Sequence, residues 1–81
     1  MLFSGAVRDN IVYGRYFDPK LYNQALEAVG LEVDLMQLPN GDMTVVQSGG
    51  STLSGGQQMR VALARSLYTA HVAIEVKVSS N

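Results

Sequence analysis

Apolar residues recur at helical spacing in a stretch that follows Phe17. Asp18 is a residue type that caps helix N-termini, and Pro19 follows at the first helical position, where its missing N–H costs nothing. Gly30 suits the left-handed conformation in which many helices end. The pattern predicts a helix between Asp18 and Gly30 with one apolar stripe, formed by Leu21, Tyr22, Ala25, Leu26 and Val29.

A second helical stretch begins near Gly55 and is predicted to run to Tyr68. Its apolar residues recur at i, i+3, i+4, i+7 and i+8, which is typical of one face of an amphipathic helix. The members of this predicted face are Met59, Ala62, Leu63, Ser66 and Leu67.

Shorter elements are predicted around these two helices. Ser4 is a candidate N-cap for a short helical turn that Gly14 ends. Residues 33–38 predict one further short helix, and residues 39–42, Pro-Asn-Gly-Asp, are typical of a turn. Residues 43–52 contain many small polar residues and no period, which predicts a loop.

Near the C-terminus the period changes from helical to twofold. Val72, Ile74, Val76 and Val78 alternate with Ala, Glu and Lys, which predicts a β-strand. A single strand is not stable by itself, so this strand would need a sheet that the chain does not supply. The predicted fold class is therefore mostly α, with a C-terminal strand.

Composition narrows the classes of function. The chain has 81 residues, which allows at most one domain, with 47% hydrophobic and 16% charged residues. Its net charge is −1 without a basic stripe, so nucleic acid is not an expected partner. It contains no cysteine and one histidine, which argues against a metal site. Neither a membrane-spanning run of roughly 20 apolar residues nor a secretory signal is visible, so a soluble, intracellular chain is expected.

The most informative chemistry lies at the start of the second helix. Ser54 and Gln57 have the spacing of a capping box, in which each side chain satisfies the backbone of the other residue. A capping box does not require Gly55 and Gly56 between its ends, and glycine inside a helix costs about 1 kcal/mol relative to alanine. Two interpretations stay open: a well-capped helix end, or a helix end left bare so that an anion such as phosphate can approach its N–H groups.

The string Leu-Ser-Gly-Gly-Gln at 53–57, followed by Gln-Met-Arg-Val-Ala-Leu-Ala-Arg-Ser-Leu-Tyr, resembles the signature motif of the ATP-binding cassette family. Residues 2–14 resemble the segment after the Q-loop in that family, and residues 17–44 resemble the helical subdomain of its multidrug-resistance-associated (C) subfamily. The resemblance implies that residues 1–70 are the helical subdomain of a nucleotide-binding domain, and that residues 71–81 are a divergent tail in place of the Walker B region.

The same resemblance implies a function for the glycine-rich helix start. In the family, two domains associate head to tail, and the signature motif closes on the γ-phosphate of ATP held by the opposite domain. By this resemblance, Ser54 would donate its hydroxyl to the phosphate, the N–H groups of Gly55 and Gly56 would face it, and Gln57 would lie near the ribose. The implied partners are the nucleotide-binding and transmembrane domains of a transporter at the cytoplasmic face of a membrane, with ATP bound in trans and Mg²⁺ supplied through the partner.

Other parts of the family pattern are absent. The chain contains no G-x-x-x-x-G-K-[ST] phosphate-binding loop, and the resemblance puts the Q-loop glutamine just before Met1. Val76 and Lys77 stand roughly where the Walker B acids belong, and residues 47–50 read Gln-Ser-Gly-Gly where the C subfamily has an acidic residue between glycines. We therefore predict no catalytic residue and no ATP hydrolysis by the isolated chain.

Three interpretations of the chain follow. It is a part of a C-subfamily-like transporter that contributes the signature half of a composite ATP site, a stand-alone interaction module that docks on a complete nucleotide-binding domain, or a non-functional gene remnant. Arg60 and Arg65 are predicted either to make contacts across the domain or to form solvated or ion-paired surface. His71 is predicted to lie at the surface or at a helix end.

Two further groups have more than one interpretation. Arg8 and Asp9 are predicted to make local hydrogen bonds at a helix end. An aromatic cluster is predicted either to pack on a coupling helix of a membrane domain or to form part of the core or of a subdomain boundary; its members are Tyr13, Tyr16 and Phe17.

Overall fold

The computed structural model describes residues 2–47 and 53–79 of the chain. Helices dominate these ranges, which confirms the predicted mostly α class. They are α1 (Val7–Val12), α2 (Pro19–Val29), α3 (Leu31–Met36) and α4 (Gly55–Ser79), with a 3₁₀ turn at Gly41–Met43. Two short strands, β1 (Gly5–Ala6) and β2 (Val45–Val46), form an antiparallel pair.

The helix predicted between Asp18 and Gly30 is confirmed as α2. The Asp18 carboxylate accepts hydrogen bonds from the backbone N–H groups of Lys20 and Leu21, at 3.0 and 3.2 Å. Gly30 has a φ of 73°, a left-handed conformation that glycine adopts without steric cost, and α3 begins at the next residue. Three members of the predicted stripe are buried: Tyr22, Ala25 and Leu26.

The first helix, α1, begins at Val7, and the prediction of Ser4 as its N-cap is wrong. Ala6 stands at the N-cap position, and its N–H donates to the Asp9 carboxylate at 3.4 Å. The chain stays extended up to Ala6 because β1 pairs with β2. The helix ends in the left-handed conformation of Tyr13, which has a φ of 51°.

The predicted loop at 43–52 is wrong in part, because it contains β2. Gly5 of β1 lies opposite Val46 of β2, and Val46 is fully buried in the core. A buried segment needs partners for its backbone N–H and C=O groups, and the pairing with β1 supplies them beside Val46. Residues 48–52 lie outside the described part of the chain.

The longest helix, α4, packs against α1, α2 and α3 and forms one side of the core. The face predicted for this helix is wrong, since Met59 is 66% exposed and Leu63 is 50% exposed. Apolar residues occur on more than one side of α4, so the helical period alone did not determine which side is buried. The buried positions recur at i, i+3, i+7 and i+11 and are Val61, Ala64, Tyr68 and Val72.

The C-terminal strand predicted at 72–78 is also wrong, because α4 continues to Ser79. Once a helix is nucleated, each further residue adds a hydrogen bond, whereas an unpaired strand would leave its backbone groups without partners. Val72 packs into the core, and the twofold pattern wound onto a helix leaves Ile74 61% and Val76 50% exposed. No helix within residues 2–47 and 53–79 has the length and apolar character of a membrane span.

Candidate functional site

The N-terminus of α4 has the capping box that the sequence predicts. The Ser54 N–H donates to Gln57 Oε1 at 2.9 Å, and the Gln57 N–H donates to Ser54 Oγ at 3.1 Å. The Gln58 N–H donates to the Ser54 carbonyl at 2.9 Å, which closes the first helical turn. The helix end is therefore fixed by its own residues and does not need a ligand to form.

Nothing among the described residues explains why Gly55 and Gly56 are glycines. Neither residue has a positive φ. A Cβ added to Gly55 would meet no atom within 4 Å, and one added to Gly56 would meet the guanidinium of Arg60 at an ordinary contact distance of 3.4 Å. Both residues are exposed. The missing side chains therefore leave the end of the helix accessible to a group from outside this part of the chain.

Three hydrogen-bond donors are available at this helix end. The N–H groups of Gly55 and Gly56 are the first two of the helix and have no acceptor within it. Ser54 Oγ acts as an acceptor in the capping box, which leaves the hydroxyl hydrogen for donation. The aligned peptide dipoles of a 25-residue helix give this end a partial positive charge. Such an arrangement can bind one oxygen-rich anion of the size of a phosphate.

A side chain that the sequence did not single out, Asp34 of α3, joins this helix end to the rest of the fold. Asp34 Oδ2 accepts from Arg60 Nε at 2.9 Å, and Oδ1 accepts from Arg60 Nη2 at 3.3 Å. Oδ1 also accepts from Gln57 Nε2 at 3.4 Å. Arg60 is ion-paired, as one of its two interpretations has it, and because the pair joins α4 to α3 it is also a contact across the domain. Asp34 was missed because its partners lie 23 and 26 residues away.

Arg65 of α4 contacts the N-terminal segment of the chain. Its Nε donates to the Asn10 carbonyl at 2.7 Å and its Nη2 donates to Asn10 Oδ1 at 3.1 Å, while Cζ lies 4.6 Å from the centroid of the Tyr13 ring. Asn10 is fully buried, and its Nδ2 donates to the carbonyls of Phe3 and Ala6 at 3.0 and 3.1 Å. Arg65 thus holds α1 and the residues before it against α4.

Tyr68, also on α4, fixes the connection between α1 and α2. Its hydroxyl accepts from the Asp18 N–H at 2.9 Å and donates to the Tyr16 carbonyl. The Tyr16 hydroxyl in turn donates to Glu75 Oε1 at 2.6 Å. This hydrogen bond to a carboxylate raises the pKa of Tyr16 to about 12. Of the three aromatic residues predicted to cluster, Tyr13 and Tyr16 contact side chains of α4, at Arg65 and Glu75.

Arg8 makes a contact far along the chain, and the prediction of a local hydrogen bond is wrong for it. Its Nε lies 2.9 Å from Asp42 Oδ2, which also accepts from the Tyr22 hydroxyl at 2.7 Å. The guanidinium covers the ring of Phe17 at 4.6 Å. The hydrogen bond to Asp42 raises the pKa of Arg8. The pKa of Tyr22 is also raised, mainly by burial and to a smaller extent by its hydrogen bond to Asp42. A groove of about 490 Å³ adjoins this group, but none of residues 54–57 lines it.

His71 lies within α4, so the helix-end alternative of its prediction is wrong, and its side chain is partly exposed. Its Nδ1 is buried and has no hydrogen-bond partner among the described residues. The helix continues for eight residues beyond it because the predicted strand does not form. The described residues contain no cluster of three or more side chains that could hold a metal ion.

Comparison with known proteins relates this arrangement to a family. No protein-family model matches the chain. ATP-binding cassette sub-family C member 10 of Homo sapiens is 55% identical over 62 residues, which are 76% of this chain and 4% of that protein. An ABC-type transporter of Zymoseptoria tritici is 51% identical over 67 residues, 83% of this chain and 5% of that protein. ABC transporter C family member 13 of Arabidopsis thaliana is 48% identical over 67 residues, with the same coverage of 83% and 5%.

This chain belongs to the ATP-binding cassette family. Its predicted likeness to the C subfamily is confirmed, since relatives of that subfamily match most of the chain. The chain spans about 5% of the length of the curated relatives it matches. Its mostly helical fold agrees with the helical subdomain of an ATP-binding cassette, with the Leu-Ser-Gly-Gly-Gln string at the start of α4.

Proposed function

We propose that this chain contributes the signature half of a composite ATP site in ATP-driven transport across a membrane. The other half would be a complete nucleotide-binding domain that holds ATP and Mg²⁺, associated with transmembrane domains at the cytoplasmic face. In this proposal the chain binds no nucleotide by itself and reaches the ATP of its partner in trans.

The observation that carries the proposal is the exposed Gly55–Gly56 pair at a helix end that is already capped. The pair has no conformational or packing function among the described residues, and two glycines in a first turn lower helix stability. A ligand that approaches the backbone supplies the missing reason. Membership of the ATP-binding cassette family makes a nucleotide phosphate the natural ligand.

In the proposed complex each residue of the motif has a separate task. The γ-phosphate would accept hydrogen bonds from the Ser54 hydroxyl and from the N–H groups of Gly55 and Gly56. These donors are already held in place, so little order would be lost on binding. Gln57 Nε2 uses one hydrogen for Asp34 and has a second for a ribose oxygen. Magnesium would be held by the partner domain, because this helix end offers no carboxylate cluster among the described residues.

The test is an association measurement with a complete nucleotide-binding domain of a C-subfamily transporter, with and without ATP and Mg²⁺. Wild-type chain should associate in the presence of ATP. Ser54→Asp should abolish this association, because aspartate caps helices as well as serine but places a negative charge beside the phosphate. Ser66→Asp, on an exposed position of the same helix, is the matched control and should associate normally. Equal association of the wild type and Ser54→Asp would refute the proposal.

The second candidate is a module that docks on a nucleotide-binding domain independently of ATP. The exposed Met59 and Leu63, on a side of α4 that faces away from the core, favour a protein contact of this kind. Association that needs no ATP, that Ser54→Asp leaves unchanged and that Leu63→Asp abolishes would support docking over the composite site. Absence of association under every condition would leave the gene-remnant interpretation.

A further inference from the structure

We propose that Asp34 is a positioning residue of the signature motif, which it serves by fixing the orientation of the Gln57 side-chain amide. The proposal rests on the proposed function, because it concerns how the same helix end is kept ready for a phosphate. It assigns a function to α3, an element outside the motif itself.

The first step concerns the two ends of the Gln57 amide. An amide has a donor end and an acceptor end, and the two can exchange by a flip of about 180°. Here Nε2 faces Asp34 Oδ1 at 3.4 Å and Oε1 faces the Ser54 N–H at 2.9 Å. After a flip, two donors would face each other at Ser54 and two acceptors would face each other at Asp34. The Asp34 carboxylate and the Ser54 N–H therefore select the same orientation, the one in which the capping box is closed.

The second step leads from the amide to the donors. With Oε1 bound to the Ser54 N–H, the turn is closed and the Gln57 N–H reaches Ser54 Oγ at 3.1 Å. Ser54 Oγ then serves as an acceptor towards its own helix, so its hydrogen is left for an outside acceptor. If the amide were held less firmly, the Ser54 N–H would lose part of its hydrogen bond to Oε1, and the first turn that positions the Ser54 hydroxyl would be less ordered. Asp34 thus acts on the ligand through Gln57 and Ser54 and does not contact it.

The third step concerns charge. A carboxylate beside an anion site would weaken binding if its charge were not balanced. Arg60 donates to both oxygens of Asp34, at 2.9 and 3.3 Å, and its guanidinium lies next to Gly56. The paired arrangement keeps Asp34 as an acceptor for Gln57 while it cancels most of the negative charge. The exposure of the two side chains is 20% for Asp34 and 36% for Arg60, so solvent screens the pair only in part.

The experiment has two arms on the full chain. In the first, the ¹⁵N-labelled chain alone is examined by NMR for the side-chain amide signals of Gln57 and the backbone signal of Ser54. Asp34→Asn should shift both, because the Ser54 N–H alone then orients the Gln57 amide and the carboxylate acceptor of Nε2 is lost. Glu32→Gln makes a comparable charge change on the same helix and should leave both signals in place.

In the second arm, ATP-dependent association with a complete nucleotide-binding domain is measured for the same variants. Asp34→Asn should weaken association about tenfold, which corresponds to one hydrogen bond to a charged group. Asp34→Glu should restore most of it, and Glu32→Gln should match the wild type. Circular dichroism melts of the wild type and each variant would show whether the variant is folded at the temperature of the assay, which separates this effect from a loss of fold.

Unchanged Gln57 and Ser54 signals in Asp34→Asn would overturn the proposal. So would shifted signals with wild-type association, since the orientation of Gln57 would then be irrelevant to the phosphate. Failure of the wild-type chain to associate is a different result, which would refute the composite site and the positioning function with it.

Discussion

Arg65 binds both the backbone carbonyl and the side-chain oxygen of Asn10, and so joins the middle of α4 to the start of the chain. Asn10 Oδ1 also accepts from the Phe3 N–H at 2.9 Å, so every polar atom of this buried side chain has a partner. A fully satisfied polar group in a core specifies one arrangement of the elements around it.

Asn10→Ala is therefore expected to lower the free energy of unfolding by about 2–3 kcal/mol, because it removes the side-chain acceptor of Arg65 Nη2 and of the Phe3 N–H, and the side-chain donor to the carbonyls of Phe3 and Ala6. Urea titration followed by circular dichroism would measure the change. Asn23→Ala, at an exposed site on α2, should change stability by less than about 0.5 kcal/mol. Equal effects of the two substitutions would contradict the importance of the Asn10 contacts.

Tyr68→Phe should lower the free energy of unfolding by about 1–2 kcal/mol. The substitution keeps the ring in the core and removes the hydroxyl that joins Asp18 to Tyr16. Tyr13→Phe removes a hydroxyl from a side chain that is 53% exposed and is expected to be nearly neutral. Thermal melts of both variants would decide the point, and a neutral Tyr68→Phe would show that the bridge adds nothing to stability.

The ionisation of Tyr16 offers a prediction about pH. Its hydrogen bond to Glu75 raises the folded pKa to about 12 from the usual value of 10.0. The folded state therefore keeps the proton more tightly, and the contribution of this contact is complete below pH 10 and lost as the pH rises to about 12. A spectrophotometric titration of phenolate should show the late transition, and Glu75→Gln should move it to lower pH. An identical titration curve for Glu75→Gln would rule out the contact.

The helical state of residues 72–78 is tested by Ile74→Ala. On an exposed helical position this change should raise the free energy of unfolding by up to about 0.5 kcal/mol, because β-branched residues favour helices less than alanine does. In a strand the same change would be destabilising. Val72→Ala should lower the free energy of unfolding by about 1–3 kcal/mol in either case, since Val72 is buried. This variant serves as the reference. Chemical denaturation of the three proteins gives the comparison.

The isolated chain should release no phosphate from Mg·ATP, because its sequence has neither a phosphate-binding loop nor the acids that position magnesium and water. A sensitive phosphate assay on the purified chain is the measurement. Release of phosphate that Ser54→Arg abolishes would contradict this prediction, whereas release that the substitution leaves unchanged would indicate a contaminant.

Local signals predicted the ends of α2 and the start of α4 better than the helical period predicted the buried side of α4. The caps of α2 at Asp18 and Gly30 and the capping box of α4 depend on residues within a few positions of one another, and the structure has them as predicted. The buried side of α4 depends on which apolar side chains find partners elsewhere in the chain. Tyr68 is buried because its ring packs in the core against Tyr22, and its hydroxyl reaches the α1–α2 connection; neither contact can be read from a local period.

The same distinction applies to the candidate site. The motif at 53–57 was visible in the sequence because its residues are contiguous. Asp34 was not, since nothing in its own surroundings distinguishes it from an ordinary acidic residue of a short helix. The twofold alternation of the tail predicted a strand, and the prediction failed because no strand of the described residues pairs with this segment, which continues α4 instead.

The single glycine between α2 and α3 has a mechanical consequence. Because Gly30 ends one helix and starts the next, α2 and α3 form one bent arm without a slack connection. Tyr68 holds the arm near its start, at Asp18, and Arg60 holds it near its far end, at Asp34. The two attachment points, Tyr68 and Arg60, are about 12 Å apart along α4. Both ends of the arm are therefore attached to α4, which limits how far α3 can move relative to the first turn of that helix.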